Sequence, residues 1–463
     1  MSQIDLFDEL PAQPPRPPAR APHGPDAQAR PIQGAAPRLH EDAEPPAAAD
    51  VPALLADLDT WVTQGWLREL DRSFALFLQQ LDPRAGVPLL LAAALASHQL
   101  GRGHVCLDLQ AALSHQRMSL ALPPDARRAI DSAVRGPEHW LRALTLADWR
   151  AALQASRLCA DGAGNTPLVL QGPRLYLRRY WQYEREVRRH IDARLAPEPV
   201  APAERIRPVL DALFDVPGQP VAEDWQKMAC ALALRQRFAI VTGGPGTGKT
   251  TTVVRLLALL QSLALQNSGG DASGALRIQL AAPTGKAAAR LADSIRGALS
   301  RLPWGQLPHG ETLRPHVPDQ ATTLHRLLGS RPDSRRLRHH AGNPLALDVL
   351  VVDEASMVDL EMMQALLQAL PAHARLVLLG DKDQLASVEA GAVLGELCRR
   401  ADAGHYDSAT VQWLRASTGQ RPPPALCDAH GQPLDQAIAM LRVSHRFTAQ
   451  SGIGQLARAV NEG

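Results

Sequence analysis

The stretch "IVTGGPGTGKTTTVVRLL", Ile240–Leu257, decides how the rest of this chain is read. Gly243, Gly248, Lys249 and Thr250 fill every fixed position of G-x-x-x-x-G-K-[ST], directly after an apolar run and at the head of a helical one. Gly243, Gly244, Gly246 and Gly248, with Pro245 and Thr247 between them, form a turn whose backbone N–H groups can close around phosphate oxygens. Lys249 neutralises β- and γ-phosphate charge, and Thr250, followed by Thr251, offers a hydroxyl to Mg²⁺. A strand delivering a phosphate loop into a helix is the signature of an α/β nucleotide-binding fold.

Three further apolar runs repeat the pattern: "IQLAAP" at 278–283, "DVLVVDEAS" at 348–356 and "RLVLLGD" at 375–381. Each is short, continuous and closed by a Pro, a Gly or an acid, as strands buried on both faces of a parallel sheet are. Helical stretches separate them, so the spacing predicts an α/β domain from about residue 216 with ligands at the carboxyl edge of its sheet.

The ends of these strands carry the chemistry. Asp353 and Glu354 follow four apolar residues; the first suits the Mg²⁺ shell and the second suits orienting and deprotonating an attacking water. A GTPase more typically ends this strand on a glycine-bearing switch, which favours ATP as the nucleotide. Gln384 lies on the loop after the 375–381 strand and would sense the γ-phosphate if that strand neighbours the one bearing Asp353. Upstream, Gln226 on the helix before the phosphate-loop strand is placed to read the adenine edge. Downstream, Arg446 in "LRVSHRF" would stabilise γ-phosphate charge from a second domain.

Two more strand-to-helix turns suggest contact with a phosphate-bearing polymer. "LAAPTGKAAARL" offers Pro283, Thr284 and Lys286, and "ATTLHRLLG" offers Thr322, Thr323 and His325. Ordinary threonine helix caps explain both as well. The basic run "RPDSRRLRHH", 331–340, reads equally as a nucleic-acid contact or a solvated loop.

Global charge adds little: 49 Lys and Arg against 47 Asp and Glu leave a net +2, so any nucleic-acid partner must meet local patches. Five widely spaced cysteines with no C-x-x-C pair argue against a zinc ribbon, a cysteine-held cluster or a disulfide framework. The N-terminus lacks a secretory pattern, and the longest apolar run, 87–96, is too short to span a bilayer; a cytoplasmic protein with no membrane contact is expected.

Along the chain, residues 1–50 hold eleven prolines and are expected to form a disordered Pro/Ala-rich tail, in which only "IDLFDEL", 4–10, resembles a linear motif. Residues 51–195 show helical periodicity, interrupted by strand-like "RGHVCLDL" and "TPLVLQGPRLYL". Residues 196–215, opening with "APEPVAPAERIRP", read as a linker.

In this order, "WQKMACALALRQRFAIVTGGPGTGKTTT", "APTGKAAARL", "TLHRLLG", "DVLVVDEASMVDL", "LVLLGDKDQLASVEAGAVLGEL" and "VSHRF" resemble the RecD family of superfamily 1 helicases. "GHVCLDL" and "RLYLRRYWQYEREV" resemble the non-motor domain of the same family. The resemblance runs from about 50 to 460. It implies a RecA-like ATPase core at 216–400 behind a mainly helical N-terminal domain at 51–195. It further implies an ATP- and Mg²⁺-dependent motor moving 5′ to 3′ on single-stranded DNA and acting at duplex ends. RecB-like and RecC-like subunits would complete a heterotrimeric exodeoxyribonuclease V. On this resemblance Lys249, Asp353, Glu354, Gln384 and Arg446 are catalytic, Gln226 meets adenine, and Pro283, Thr284, Lys286, Thr323 and His325 meet DNA. The family continues well past "QLARAVNEG", so residues 401–463 are expected to start an incomplete second RecA-like domain in a C-terminally truncated chain. Three competing readings remain: an ATP-binding scaffold subunit without motor activity, a free-standing RecD-like helicase, and a clamp-loader-like AAA+ switch, the last disfavoured by Gln384 and "APTGKAA".

Overall fold

A computed structural model describes residues 50–115, 119–122, 135–196, 201–215, 224–334, 336–384 and 390–444. The expected disorder of the N-terminal tail, with its "IDLFDEL" motif, and the position of Arg446 lie outside the described residues. The chain divides into two compact units, the first from Met1–Gln99 and Cys106–Arg178 and the second from Leu100–Val105 and Arg179–Gly463.

The first unit packs helices Val51–Thr63, Glu69–Leu81, Pro137–Leu141 and Leu146–Gln154, with most of Val87–Gly101, around a four-stranded sheet. Strands β1 (Cys106–Asp108), β2 (Cys159–Ala160), β3 (Leu168–Gln171) and β4 (Arg174–Leu177) lie in the order β1-β4-β3-β2. The apolar run at 87–96 becomes a core helix, buried on every side. The indoles around it keep their N–H groups satisfied: Trp149 donates to the Pro88 carbonyl at 2.9 Å and Trp140 to Asp57 Oδ2 at 2.9 Å. Among the described residues no helix is long and apolar enough to cross a membrane.

The second unit is built on a six-stranded sheet. Its strands are β5 (Phe238–Gly243), β6 (Ile278–Ala282), β7 (Thr322–Thr323), β8 (Val349–Val352), β9 (Arg375–Gly380) and β10 (Ile438–Leu441), in the order β10-β5-β9-β8-β6-β7. All five pairings are parallel. β5 and β8 are buried along their whole length, which is why they read as uninterrupted apolar runs rather than alternating ones. The expected α/β class with a parallel sheet, preceded by a helix-rich region, is the architecture observed.

Three expected boundaries are corrected. The helix Arg178–Leu195 belongs from Arg179 onward with the second unit, not with the N-terminal domain. Its Arg194, buried and held down to about 10 by that burial, donates to the carbonyls of Leu370 and Pro371, both at 3.0 Å. The linker expected at 196–215 contains a helix, Ala203–Phe214, whose Ile206, Val209, Leu210, Leu213 and Phe214 enter the core around the six-stranded sheet. Buried Lys227 pins it further, bonding Asp211 and Asp215 at 2.7 Å each.

The third correction concerns the region after residue 400. Its described part does not open a second sheet: β10 pairs with the phosphate-loop strand itself, Ile438 opposite Ile240 and Leu441 opposite Gly243. The helix Ser408–Thr418 covers this edge, with Trp413 Nε1 donating to the Ala231 carbonyl at 2.9 Å, and the buried Tyr406 hydroxyl donates to Ile438 O at 2.9 Å. Parallel pairing covers the edge of β5 and buries Ile438, Ala439 and Leu441, a gain that a separate four-residue strand would forgo. Ending the chain at Asp428 should therefore lower the thermal midpoint by several degrees, roughly the effect of losing a few kcal/mol of burial. An unchanged melt would show that β10 is not part of this domain.

Candidate nucleotide site

Because every strand of the sheet is parallel, all six carboxyl ends emerge on one edge, and the sequence-marked residues gather there. The order splits that edge in two. β5, β9 and β8 sit side by side and carry the phosphate loop, Gln384 and the acidic pair; β6 and β7 lie beyond and carry Pro283–Lys286 and Thr323–His325.

The phosphate loop is shaped by glycines in the left-handed region: Gly243 at φ 154°, Gly246 at 78° and Gly248 at 86°. A Cβ on Gly243 would stand 2.7 Å from the Leu441 carbonyl oxygen, so the close approach of β10 is itself a reason for glycine. Thr247 Oγ1 donates to the Gly244 carbonyl at 2.9 Å and closes the turn. Lys249 Nζ donates to the carbonyls of Gly243 at 2.6 Å and Gly244 at 3.2 Å, which holds the ammonium at the mouth of the loop. Thr250 follows as the second residue of the helix Lys249–Asn267.

Just past β8, Asp353 N donates to the Ala281 carbonyl at 2.9 Å, which extends the pairing one residue beyond the strand. Burial pushes the Asp353 carboxyl up to about 6; the adjacent Glu354 charge adds to this, while the Glu354 N–H and Lys249 act against it. The Lys249 charge thus acts on Asp353 from the end of β5, with β9 between the two strands. Glu354 takes a left-handed backbone, φ 51°, rare for a side chain of its size, and its N–H donates to Asp353 Oδ1 at 2.9 Å.

β9 lies between these two strands, so the condition on which Gln384 depended is met: its strand neighbours the one bearing Asp353. Gln384 Oε1 accepts from Ser356 Oγ at 3.3 Å, which ties the amide to the acidic loop. The turn is anchored to the phosphate-loop strand as well, by Lys382 N donating to Thr242 Oγ1 at 3.2 Å.

The outer half of the edge realises the helix-cap reading of both threonine motifs. Thr284 Oγ1 accepts from Ala287 N, and Thr323 Oγ1 from Arg326 N, each at 3.2 Å. The register of β6 with β7, Ala282 opposite Thr323, sets these two caps beside each other with Lys286 and His325 exposed next to them. Within the run 331–340, residues 331–334 form a small exposed turn with an Arg331–Ser334 bridge.

Several neighbours of the loop escaped sequence reasoning. Ser444 Oγ donates to the Pro245 carbonyl at 3.2 Å. Arg442 lies over the Trp225 ring at 5.4 Å and donates to the Asp402 carbonyl at 2.7 Å. Arg255 donates to Gln226 Oε1 at 3.2 Å while Gln226 Nε2 donates to the Thr247 carbonyl at 3.1 Å. Ser444 and Arg442 lie in "LRVSHRF" and Arg255 in the phosphate-loop stretch, but their contacts join residues distant in sequence.

Fold and loop together define a P-loop nucleotide-binding protein with a resident acidic pair. An AAA domain family matches residues 226–390, and the N-terminal domain of the RecBCD enzyme subunit RecD matches residues 63–176. The RecBCD enzyme subunit RecD of Haemophilus influenzae is 38% identical over 378 residues, 81% of this chain and 56% of that one. The RecD subunit of Mycolicibacterium smegmatis is 40% identical over 384 residues, covering 82% of this chain and 55% of that one. An ATP-dependent RecD2 DNA helicase of Deinococcus radiodurans is 39% identical over 165 residues, 36% of this chain and 18% of that one. The chain is similar to these RecD subunits over about four-fifths of its length, and it spans a little over half of theirs.

The donor set fits a hydrated Mg²⁺: one hydroxyl, Thr250, and one carboxylate, Asp353, whose burial makes its charge costly without a cation. The folded chain holds the Asp353 proton more tightly than the unfolded chain does. Ionisation therefore costs folding free energy progressively as pH rises from 3.8 toward about 6, and the cost is fully present above that. Without metal or nucleotide, Asp353→Asn should stabilise the fold at pH 7.5 by on the order of 2 kcal/mol. The gain should shrink as the pH falls below about 6 and vanish near 3.8; thermal melts of the two proteins across this range check it.

Proposed function

We propose that this chain is the ATP-hydrolysing part of a RecD-type DNA helicase that translocates 5′ to 3′ on single-stranded DNA and works at duplex ends. The observation that carries the reading is the strand order β5-β9-β8. It sets the phosphate loop, the Gln384 turn and the acidic pair on neighbouring strand ends, with polar links from the middle turn to both sides. Similarity to RecD subunits over four-fifths of the chain supports the assembly: RecB-like and RecC-like partners in a cytoplasmic exodeoxyribonuclease V that repairs double-strand breaks by recombination.

Bound Mg²⁺–ATP would supply the phosphoanhydride and the cation that neutralises its charge. Lys249 exchanges its two carbonyl acceptors for phosphate oxygens, which are stronger acceptors of a charged donor. Thr250 and Asp353 hold the metal, and Gln226 positions the adenine. Glu354, next to Asp353 and on a left-handed backbone, orients the attacking water and takes its proton. Gln384 shares its amide oxygen with Ser356 and is placed to exchange that bond for the γ-phosphate, so that the turn moves with nucleotide state. On the outer half of the edge, Thr284, Lys286, Thr323 and His325, with Pro283 shaping the turn, receive successive phosphates of the strand. Arg446 follows shortly after Ser444, which already contacts the loop, and is assigned the charge-stabilising role from the following part of the chain.

ATP hydrolysis by this chain should rise on adding single-stranded DNA and fall by about a hundredfold in Lys249→Ala. In Gln384→Ala the DNA stimulation should be lost while nucleotide binding persists. No hydrolysis by the unaltered chain at saturating DNA would sink the motor reading in favour of an ATP-binding scaffold.

A further inference from the structure

Gln226 was singled out as a reader of adenine, yet a carboxamide reads a base only if its oxygen and nitrogen face the correct ways. An amide flipped about its last bond offers a donor where an acceptor is needed. Two neighbours of Gln226 remove the choice. Arg255 Nη1 donates to Gln226 Oε1 at 3.2 Å, and the Thr247 carbonyl accepts from Gln226 Nε2 at 3.1 Å. A guanidinium can only donate and a carbonyl can only accept, so the flipped amide would set nitrogen against cation and oxygen against oxygen.

Arg255 is itself held. Its guanidinium lies over the Phe214 ring with Cζ 4.5 Å from the centroid, and Phe214 is 6% exposed at the end of the helix Ala203–Phe214. The base of the arginine is the helix Lys249–Asn267, whose first residues are those of the phosphate site. The Gln226 backbone is fixed from the other side by Asp224, which caps its helix by accepting from Gln226 N at 3.0 Å and Lys227 N at 2.9 Å. The amide also abuts the loop so closely that a Cβ on Gly248, at φ 86°, would stand 2.2 Å from Nε2.

We propose that Arg255, locked on Phe214, is a specificity-determining residue: it sets the orientation of the Gln226 amide and thereby the preference for a 6-amino over a 6-oxo purine nucleotide. Adenine carries a donor at N6 beside the N7 acceptor, whereas hypoxanthine and guanine carry acceptors at both positions. A carboxamide of fixed orientation matches the first pattern, and a freely flipping one accommodates either. The inference rests on the nucleotide site proposed above and adds the determinant of its base specificity.

The test measures binding rather than turnover, so it stands apart from the motor reading. A ribose-labelled fluorescent ATP is displaced from the 463-residue chain by ATP and, separately, by ITP, in the presence of Mg²⁺. The unaltered chain should prefer ATP by about tenfold, equivalent to one well-made hydrogen bond. Arg255→Met should bring the two affinities within about twofold of one another, chiefly by weakening ATP, while Arg255→Lys, which keeps a donor, should retain part of the preference. Phe214→Leu, which keeps the apolar packing but removes the ring face, should lie between. An Arg255→Met chain that still prefers ATP, or that loses ATP and ITP equally, overturns the inference, the latter by showing a merely structural role. Failure of the unaltered chain to bind any nucleotide overturns the site and the inference together. Binding with discrimination but without DNA-stimulated hydrolysis overturns only the motor.

Discussion

The parallel pairing of β5 between β10 and β9 is the constraint on which the rest of the second unit depends. A strand flanked on both sides has no freedom to slide, because each register shift would break two ladders at once. The turn that follows it is therefore fixed in position, and Gly243 is pressed against the Leu441 carbonyl so tightly that only glycine fits. From that anchored point the loop, Lys249 and the first turn of the helix Lys249–Asn267 inherit their places. The same pairing carries the chain from Leu441 past the loop, where Ser444 meets Pro245.

The electrostatics follow from placing charges at the dry end of this sheet. Asp353 leaves a strand buried on both faces, and burial raises its proton affinity more than Lys249 can lower it. Such a carboxylate is ready for a cation and poorly suited to standing alone. The β9 turn, bonded through Lys382 to β5 and through Gln384 to the acidic loop, joins the two halves of the site, so a change at one is felt at the other. Buried Gly380 keeps this turn flush: a Cβ there would stand 2.4 Å from Leu394 Cδ2 and 3.3 Å from Ser356 N.

Much of this was legible before any coordinates. The phosphate loop, the Asp353–Glu354 pair and the four long strands β5, β6, β8 and β9 are continuous in sequence, and each announces itself by an apolar run with a punctuating end. What was misread was short or disguised. Prolines at 202 and 208 hid the helix Ala203–Phe214; Pro202 in fact stands just ahead of its first turn, and the apolar spacing of Ile206, Leu210, Leu213 and Phe214 is the signal that outweighed them. β10 offers only "IAML", which periodicity cannot distinguish from a loop, and expecting a second domain there followed the family resemblance rather than the residues. The threonines at 284 and 323 carried both a cap and a contact reading; both are caps, and the contact reading now rests on the exposed Lys286 and His325 beside them.

By itself the sequence determined the nucleotide loop, the acids and the class of fold, because backbone conformation at glycines and burial of apolar strands are local consequences of residue type. It also held the order of the motifs along the chain. Only the tertiary structure decided the order of the strands in the sheet, and with it that Gln384 stands between phosphate loop and acids, that β10 closes the β5 edge, and that Arg255 meets Gln226 and Phe214 at once. Those relations join residues far apart in sequence. They are set by which buried faces pack together, a property of the whole core that no single stretch of sequence contains.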